Sequence, residues 1–192
     1  MKTILSACLS VAIMTSYAQD KSTCPMLQST STNAQGKMAC PMLQNTSEDH
    51  AAGVDMRGDH AMGFSHENTT HHFKLTQDGG IIEVDANRET DTITRDQIRQ
   101  HLTHVASMFT ADNFEIPMFI HDTVPPGVPV MKEKNSAITY TFAPTKQGAM
   151  VKIETNDPEA LKAIHEFLVF QIKDHRTGDP SEIEPSFKNS LQ

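Results

Sequence analysis

Two histidines and a methionine share one face of a helix predicted near the middle of this chain. His101, His104 and Met108 stand at positions i, i+3 and i+7, a spacing that brings three side chains to one side of a helix. Imidazole nitrogen and thioether sulfur are ligands for soft and borderline metal ions, copper above all. A structural alternative has both histidines in solvent and Met108 in the core. The trio therefore predicts a copper site, provided that neighbouring segments supply further ligands.

Further residues of the same two types lie before and after this helix. Met118 and His121 end an apolar stretch that follows it, and His71 and His72 begin a predicted strand. A His/Met set without cysteine suits copper in an oxidising compartment, since imidazole binds both copper states and thioether prefers Cu(I). Haem with His or His/Met axial ligands is one alternative and zinc is another. Covalent haem is excluded, because the sequence contains no Cys-x-x-Cys-His motif.

A polar segment from residue 19 to residue 68 carries more soft ligands and a short repeat. Cys-Pro-Met-Leu-Gln occurs at residues 24–28 and again at residues 40–44. Its composition predicts a flexible arm, because few large apolar side chains are available to offset the entropy of ordering. A Cys24–Cys40 disulfide is the alternative to metal capture by the repeat. We predict that the arm captures or hands over ions through Cys24, Met26, Cys40, Met42, His60, Met62 and His66.

The first copy of the repeat resembles a known metal-binding segment. Thr23-Cys24-Pro25-Met26 is similar to the Thr-Cys-Pro-Met start of the short heavy-metal-binding segments of bacterial copper and silver efflux proteins. Those segments continue with His-Pro, whereas this chain continues with Leu27-Gln28. The resemblance implies a metal-transport or efflux protein as a partner.

The first eighteen residues predict export, and the overall charge excludes several partners. Lys2, the apolar run 4–14 and the small residues Ser16 and Ala18 form a signal peptide pattern. We therefore expect a periplasmic or secreted protein with no membrane span after signal cleavage. Cys8 matches a lipobox by letters but precedes a complete apolar region, which does not favour a lipoprotein. The net charge of -8 without a basic run argues against nucleic acid.

The remaining chain predicts one α+β domain over residues 69–178, followed by a polar tail over 179–192. Strand patterns occur at 71–76, 81–86, 137–142 and 149–155, and helical patterns at 95–109 and 158–175. Thr94 with Gln97 predicts a capping box for the first helix, and Asn156 or Asp157 is predicted to cap the second helix, with Pro158 at its first position. We predict pseudo-duplicated strand–strand–helix units that form a four-stranded antiparallel sheet with both helices on one face. The insert 113–131 is predicted to be extended around its Pro-Pro-Gly-Val-Pro turn.

An enzymatic function is the alternative to metal binding. The sequence has no Gly-x-Ser-x-Gly, no P-loop and no dinucleotide fingerprint. Adjacent His121 and Asp122 are candidates for acid–base chemistry in a small periplasmic enzyme. Asp96 and Asp122 are also candidates to orient a metal-bound histidine. A haem-binding or protein-interaction module is the remaining alternative.

Residues 62–180 resemble a group of small exported bacterial proteins of unsettled function. The resemblance rests on Met-Gly-Phe-Ser-His at 62–66, Pro-Met-Phe-Ile-His-Asp at 117–122, Pro-Pro-Gly-Val-Pro at 125–129 and Asp-His-Arg-Thr-Gly-Asp at 174–179. Some of these proteins carry the label aspartate carbamoyltransferase. True carbamoyltransferases are larger two-domain enzymes with a Ser-Thr-Arg-Thr phosphate loop, which this sequence lacks. The resemblance implies export and a domain extent, whereas the residues favour copper sequestration, delivery or tolerance.

Overall fold

The computed structural model describes residues 47–183, and this part of the chain has an α+β fold. Its elements in order are α1 (Ser47–Met62), β1 (Thr69–Thr76), β2 (Gly79–Ala86), α2 (Thr92–Thr110), α3 (Glu115–His121), α4 (Val128–Glu133), β3 (Ile138–Pro144), β4 (Gly148–Thr155) and α5 (Pro158–Asp174). Short 3-10 turns at His66–Asn68 and Asn135–Ala137 lead into β1 and β3. The predicted α+β class is confirmed.

Four antiparallel strands form one open sheet in the order β1-β2-β4-β3. Phe73 pairs with Ile82, which in turn pairs with Val151, and all three side chains are buried on the same face. The opposite face carries polar residues such as Lys74 and Glu83, which form an ion pair. This alternation is what an antiparallel sheet with one covered face requires. The pairing of two hairpins agrees with the predicted sheet.

Helices α2 and α5 cover the buried face of the sheet. Ile98, Leu102 and Phe109 of α2 share a single apolar core with Ile164 and Leu168 of α5. Helix α5 begins as predicted, with Asp157 as N-cap and Pro158 in its first turn. Helix α2 begins three residues earlier than predicted, at Thr92. Both helices therefore present an apolar stripe to the sheet.

The start of α2 shows a cap that differs from the predicted one. Asp91 accepts hydrogen bonds from the backbone N–H and the hydroxyl of Thr94, at 3.0 and 2.9 Å. A carboxylate at this position satisfies free N–H groups of the first turn. The predicted cap at Thr94 with Gln97 is therefore wrong, because Asp91 provides the cap.

Helix α1 lies within the segment that the composition predicted to be a flexible arm. That prediction is wrong from Ser47 onward, because the helix docks on the domain through Val54, which is 1% exposed. Arg57 adds a 2.7 Å hydrogen bond from its Nε to the carbonyl of Ile120 on α3. Glu48 and Asp49 in the first turn suit the positive end of the helix dipole. Residues 19–46 of the predicted arm lie outside the described part.

The insert 113–131 is helical, which corrects the prediction of an extended segment. In α3, Pro117 is the third residue, where the missing N–H would have no partner within the helix. Asp122 ends α3 in a left-handed conformation. Gly127, with φ of 82°, precedes α4, and an added Cβ would stand 2.0 Å from the carbonyl oxygen of Ala163. Only glycine fits there, so this residue seats the insert against α5.

No helix among residues 47–183 has the length and apolar character needed to cross a membrane. Of the predicted polar tail, the described residues 179–183 lie along β1. Asp179 accepts a hydrogen bond from the backbone N–H of Phe73 at 2.9 Å, and Ile183 pairs in parallel with Leu75.

Candidate metal site

A mainly apolar cavity of about 60 Å³ lies where α1, β1, α2, α3 and α5 meet. Phe73, Val105, Ile120 and Phe167 form much of its wall. Among these apolar side chains, six residues bring polar or soft donor atoms to the lining: Met62, His71, His101, His121, Gln171 and His175. Four imidazoles and one thioether thus share a small, half-buried cavity.

Met62 and His71 bring two possible metal ligands close together in this cavity. Met62 is the last residue of α1 and His71 is the third residue of β1. The Sδ atom of Met62 lies 3.3 Å from the Nε2 atom of His71. Metal–nitrogen and metal–sulfur bonds of about 2.0 and 2.3 Å would place two donors of one ion about 3.3–3.7 Å apart. The observed separation therefore suits both a weak N–H···S contact and a bridging metal ion.

A stack of aromatic rings holds His71 in place. The ring of His175 lies parallel to that of His71, with a centroid distance of 5.6 Å and an interplanar angle of 6°. Phe73, which lies on the same sheet face as His71, has its ring centroid 5.4 Å from that of His175. On the α2 side, His101 meets the edge of Phe64 at 5.7 Å. These contacts fix the histidine rings without using their nitrogen atoms.

Burial keeps three of these histidines neutral near pH 7. Removal from water lowers the pKa of His71 to about 4 and that of His101 to about 4. The pKa of His175 falls to about 3 for the same reason, with the neighbouring His71 adding to the shift. A neutral imidazole has a free nitrogen lone pair, which is the form that binds metal ions. At neutral pH these imidazoles therefore carry no added proton and have a lone pair that is available to a metal ion.

His121 is fully engaged by hydrogen bonds and carries out a different task. Its Nδ1 atom lies 2.5 Å from Oδ2 of Asp174, and its Nε2 atom lies 2.9 Å from Oε1 of Gln171. The other oxygen of Asp174 lies 2.9 Å from Nε2 of His50 on α1. His121, which is 1% exposed, meets the ring of His175 edge-on at 4.9 Å. It therefore supports the histidine stack and links α3, α5 and α1.

A second, polar cavity of about 190 Å³ adjoins the first. Met62, His71 and His175 line both cavities, so the Met62–His71 pair stands at their boundary. The polar cavity also contains Asp55, His66 and Arg176. His66 contacts the carboxylate of Asp59 through Nδ1 at 2.8 Å, and Arg176 pairs with Asp55 at 2.6 Å. Solvent can approach the soft donors from this side.

The structure separates the predicted ligands into those that meet and those that do not. Met62, His71, His101 and His121 line one cavity, whereas His104 of the leading trio is exposed and Met108 is absent from the lining. Met118 packs against the core, His60 is exposed, and His72 lies on the opposite sheet face, with its Nδ1 2.9 Å from Asp179. Cys24, Met26, Cys40 and Met42 lie outside the described residues.

The predicted orienting carboxylates do not contact these histidines. Asp96 pairs with Arg95 and Arg99, and Asp122 is exposed at the end of α3. Asp174 is the carboxylate that holds His121. Among residues 47–183, no three His, Cys, Asp or Glu side chains converge on a common point for an ion. A metal bound there would use the thioether of Met62 as one of its ligands.

Sequence reasoning missed His175, Gln171 and His50 as members of this region. His175 follows Gln171 by four residues and Phe167 by eight, so the three continue one stripe of α5 into the cavity. This helical spacing is the signal that could have identified His175. His50 had no such signal, because its contact with Asp174 spans 124 positions of the sequence.

Comparison with known proteins leaves the chain without relatives that could assign this site. No protein-family description matches the sequence, and no curated protein or solved structure matches it. The geometry of the cavity is therefore the basis for a functional proposal.

Proposed function

We propose that this chain is an exported, periplasmic or secreted protein that binds copper for sequestration, delivery or tolerance. The ion would be Cu(I), bound by the thioether of Met62 and by Nε2 of His71. His101 and His175, which line the same cavity, are the candidates for a third ligand. A metal-transport or efflux protein is the corresponding candidate partner.

The 3.3 Å separation of Met62 Sδ and His71 Nε2 at the cavity supports this proposal most directly. Two soft donors already lie at the distance that one ion requires. Their histidine neighbours are neutral, because burial lowers the pKa of each to about 3 or 4. Binding would therefore need little proton release and only small side-chain movements.

The composition of the cavity favours copper over the two alternatives. Zinc sites use Cys, His and carboxylate ligands, and thioether is not among them. A cavity of about 60 Å³ has room for an ion and a few small molecules, whereas a porphyrin would require the surrounding helices to separate. The enzymatic alternative with His121 and Asp122 has less support, because both ring nitrogens of His121 are engaged by Asp174 and Gln171.

A competition titration with Cu(I) tests the proposal on the full chain. The background carries Cys8→Ser, Cys24→Ser and Cys40→Ser, so that no thiolate contributes. Met62→Leu and His71→Phe each remove one donor while preserving apolar packing, and each is expected to weaken Cu(I) affinity by about 100-fold or more. Met56→Leu on the same helix and His104→Ala on α2 are the matched controls, because both residues are exposed.

Equal affinity in Met62→Leu and Met56→Leu would contradict the proposed ligands. Loss of binding on replacement of the cysteines alone would move the copper site to the arm. Tighter retention of zinc than of copper by the cysteine-free chain would contradict the choice of metal.

A further inference from the structure

Three buried oxygen atoms near the end of α2 have no hydrogen-bond partner. In residues 47–183, four buried side-chain nitrogen or oxygen atoms are unpaired, and one of them, Nε2 of Gln171, belongs to a residue of the cavity described above. The other three are Oδ1 of Asp112, Oδ1 of Asn135 and the hydroxyl of Tyr140. Buried polar atoms of native proteins are nearly always satisfied by protein, water or an ion. Three such atoms therefore indicate a missing ligand.

Contacts link each of these three residues to the last turn of α2. The Nδ2 atom of Asn135 donates to the carbonyl of Thr110 at 3.0 Å, and Asp112 follows Thr110 by two residues. The Tyr140 ring meets Phe109 of the same turn edge-on at 5.6 Å. Burial raises the pKa of Tyr140, and the nearby carboxylate of Asp112 raises it further. The charge of Asp112 is thus close enough to act on the phenol.

The charges in this place favour a cation. Asp112 forms no ion pair among the described residues, and the C-terminal end of α2 adds partial negative charge. Lys134, the lysine next to Asn135, is engaged with Glu159 at 2.6 Å. A water molecule would satisfy the hydrogen bonds, whereas a cation would also balance the negative charge of Asp112. Asp112 also holds a left-handed backbone, with φ of 62°, which directs the chain back at this point.

We propose that Oδ1 of Asp112, Oδ1 of Asn135 and the hydroxyl of Tyr140 bind a hard divalent cation, with Ca²⁺ as the ion of matching chemistry. Carboxylate, amide and hydroxyl oxygens are the ligands that Ca²⁺ takes, and water fills the remaining positions. One carboxylate makes a weak site, so we expect a dissociation constant of about 10⁻⁴–10⁻³ M, the range of extracellular modules. This oxygen site is independent of the Met62–His71 site, because each prefers the opposite class of ion.

Terbium luminescence tests this site, since Tb³⁺ replaces Ca²⁺ and is sensitised by a nearby tyrosine. The chain has no tryptophan and only two tyrosines, Tyr17 and Tyr140. The full chain with Tyr17→Phe therefore reports on Tyr140 alone. We expect saturable Tb³⁺ emission that millimolar Ca²⁺ displaces, and a thermal transition that Ca²⁺ raises.

Two aspartates with the same backbone conformation provide a matched pair of variants. Asp112→Asn removes the charge but keeps a residue that tolerates a left-handed backbone, and it is expected to weaken Tb³⁺ and Ca²⁺ binding by about tenfold or more. Asp122→Asn, at φ of 51° on an exposed residue, is expected to bind as the parent does. Asn135→Ala provides a second loss of a ligand if Asp112→Asn does not fold.

Emission that is unchanged in both Asp112→Asn and Asn135→Ala would overturn the proposal. So would emission that Ca²⁺ does not displace, or the absence of any saturable signal, which would assign the three oxygens to a water molecule. Copper binding by the same chain has no bearing on these outcomes.

Discussion

Individual side chains in the cavity owe their chemistry to burial rather than to unusual partners. Met62 and His71 have apolar and aromatic neighbours on the side of the smaller cavity, and the polar cavity lies on their other side. In water the same pair would bind an ion weakly, and the imidazole of His71 would protonate near pH 6.5. Within the protein, the histidines stay neutral to about pH 4, so the site is expected to keep metal in mildly acidic surroundings.

Acid should destabilise the metal-free protein through these histidines. The pKa of His175 is lowered to about 3, so the unfolded chain binds more protons than the folded one between that value and the unfolded pKa of about 6.5. Stability is therefore complete above about pH 6.5 and falls as pH decreases through this window, by up to about 1.4 kcal/mol per pH unit for one histidine. Urea denaturation at about pH 6.5, 5.5 and 4.5 measures the slope.

His175→Phe tests the source of that slope. Phenylalanine keeps the stack with His71 and Phe73 but cannot take up a proton, so the variant should lose less stability on acidification. His104→Gln on the exposed side of α2 is the control and should follow the parent protein. A slope that is the same in His175→Phe and in the parent would mean that other groups cause the acid sensitivity.

Asp174 should stabilise the fold by accepting hydrogen bonds from two histidines. Asp174→Asn removes the charged acceptor next to the buried His121, and we expect a loss of about 1–3 kcal/mol in the free energy of unfolding. Asp96→Asn is the control, because Asp96 is exposed and pairs only with neighbouring arginines, and it should change stability by less than about 0.5 kcal/mol. Equal effects in chemical denaturation would contradict a structural role for Asp174.

Helix α1 is the element that closes the site, and polar contacts hold it. Val54 is its one buried large apolar side chain, while His50, Asp55 and Arg57 contact Asp174, Arg176 and the carbonyl of Ile120. An element with so little apolar burial opens more readily than the core helices. Because Met62 is its last residue, opening of α1 would expose one proposed ligand and admit an ion.

Hydrogen exchange should show this opening, and Gly58→Ala should reduce it. An added Cβ at Gly58 meets only Cε of Met62, at 3.5 Å, so alanine fits and favours the helix by about 0.5–1 kcal/mol. We expect amides of α1 to exchange faster than those of α2 in the parent, and to slow by about two- to fivefold in the variant.

Gly53→Ala is the comparison for that experiment. It has the same propensity gain, but its Cβ would lie 2.8 Å from Nη1 of Arg57, the side chain that anchors α1 to α3. We expect Gly53→Ala to slow the exchange of the α1 amides by less than Gly58→Ala does. Exchange in α1 as slow as in α2 would contradict an opening helix.

The sequence predicted those elements whose hydrophobic pattern is local. Alternation revealed the four strands, and the stripes of α2 and α5 revealed two helices, because each pattern reflects burial against one sheet face. Helix α1 has no such stripe, since its attachment depends on contacts such as His50 with Asp174, far apart in the sequence. In α3, Pro117 within an apolar run indicated an extended segment, although proline is tolerated in a first helical turn.

The sequence predicted some of the residues that line the cavity and missed others. A His/Met cluster exists, and His71, His101 and Met62 belong to it. The spacing of His101, His104 and Met108 indicated that the three share one side of α2. Of the three, His101 lines the cavity, whereas His104 remains in solvent. Pairings across elements, such as Met62 with His71, depend on how α1 docks, and no local pattern specifies that.

At the scale of the whole molecule, the sheet and the two long helices α2 and α5 position a small cavity beside helix α1. The chain carries a net charge of -8, which favours the approach of cations. Bound Cu(I) would also stabilise the fold, by about 2.7 kcal/mol at one hundred times the dissociation constant. Thermal denaturation with and without Cu(I) should show this gain in the parent and its loss in His71→Phe, whereas an equal gain in both would contradict a site at His71.

Copper X-ray absorption on the Cu(I)-loaded full chain, with Cys8→Ser, Cys24→Ser and Cys40→Ser, tests the central claim most directly. Binding between Met62 and His71 predicts a sulfur neighbour of copper at about 2.3 Å together with nitrogen neighbours at about 2.0 Å. The sulfur signal should disappear in Met62→Leu and remain in Met56→Leu. A sulfur signal that survives Met62→Leu, or copper bound by nitrogen alone in the parent, would contradict the account.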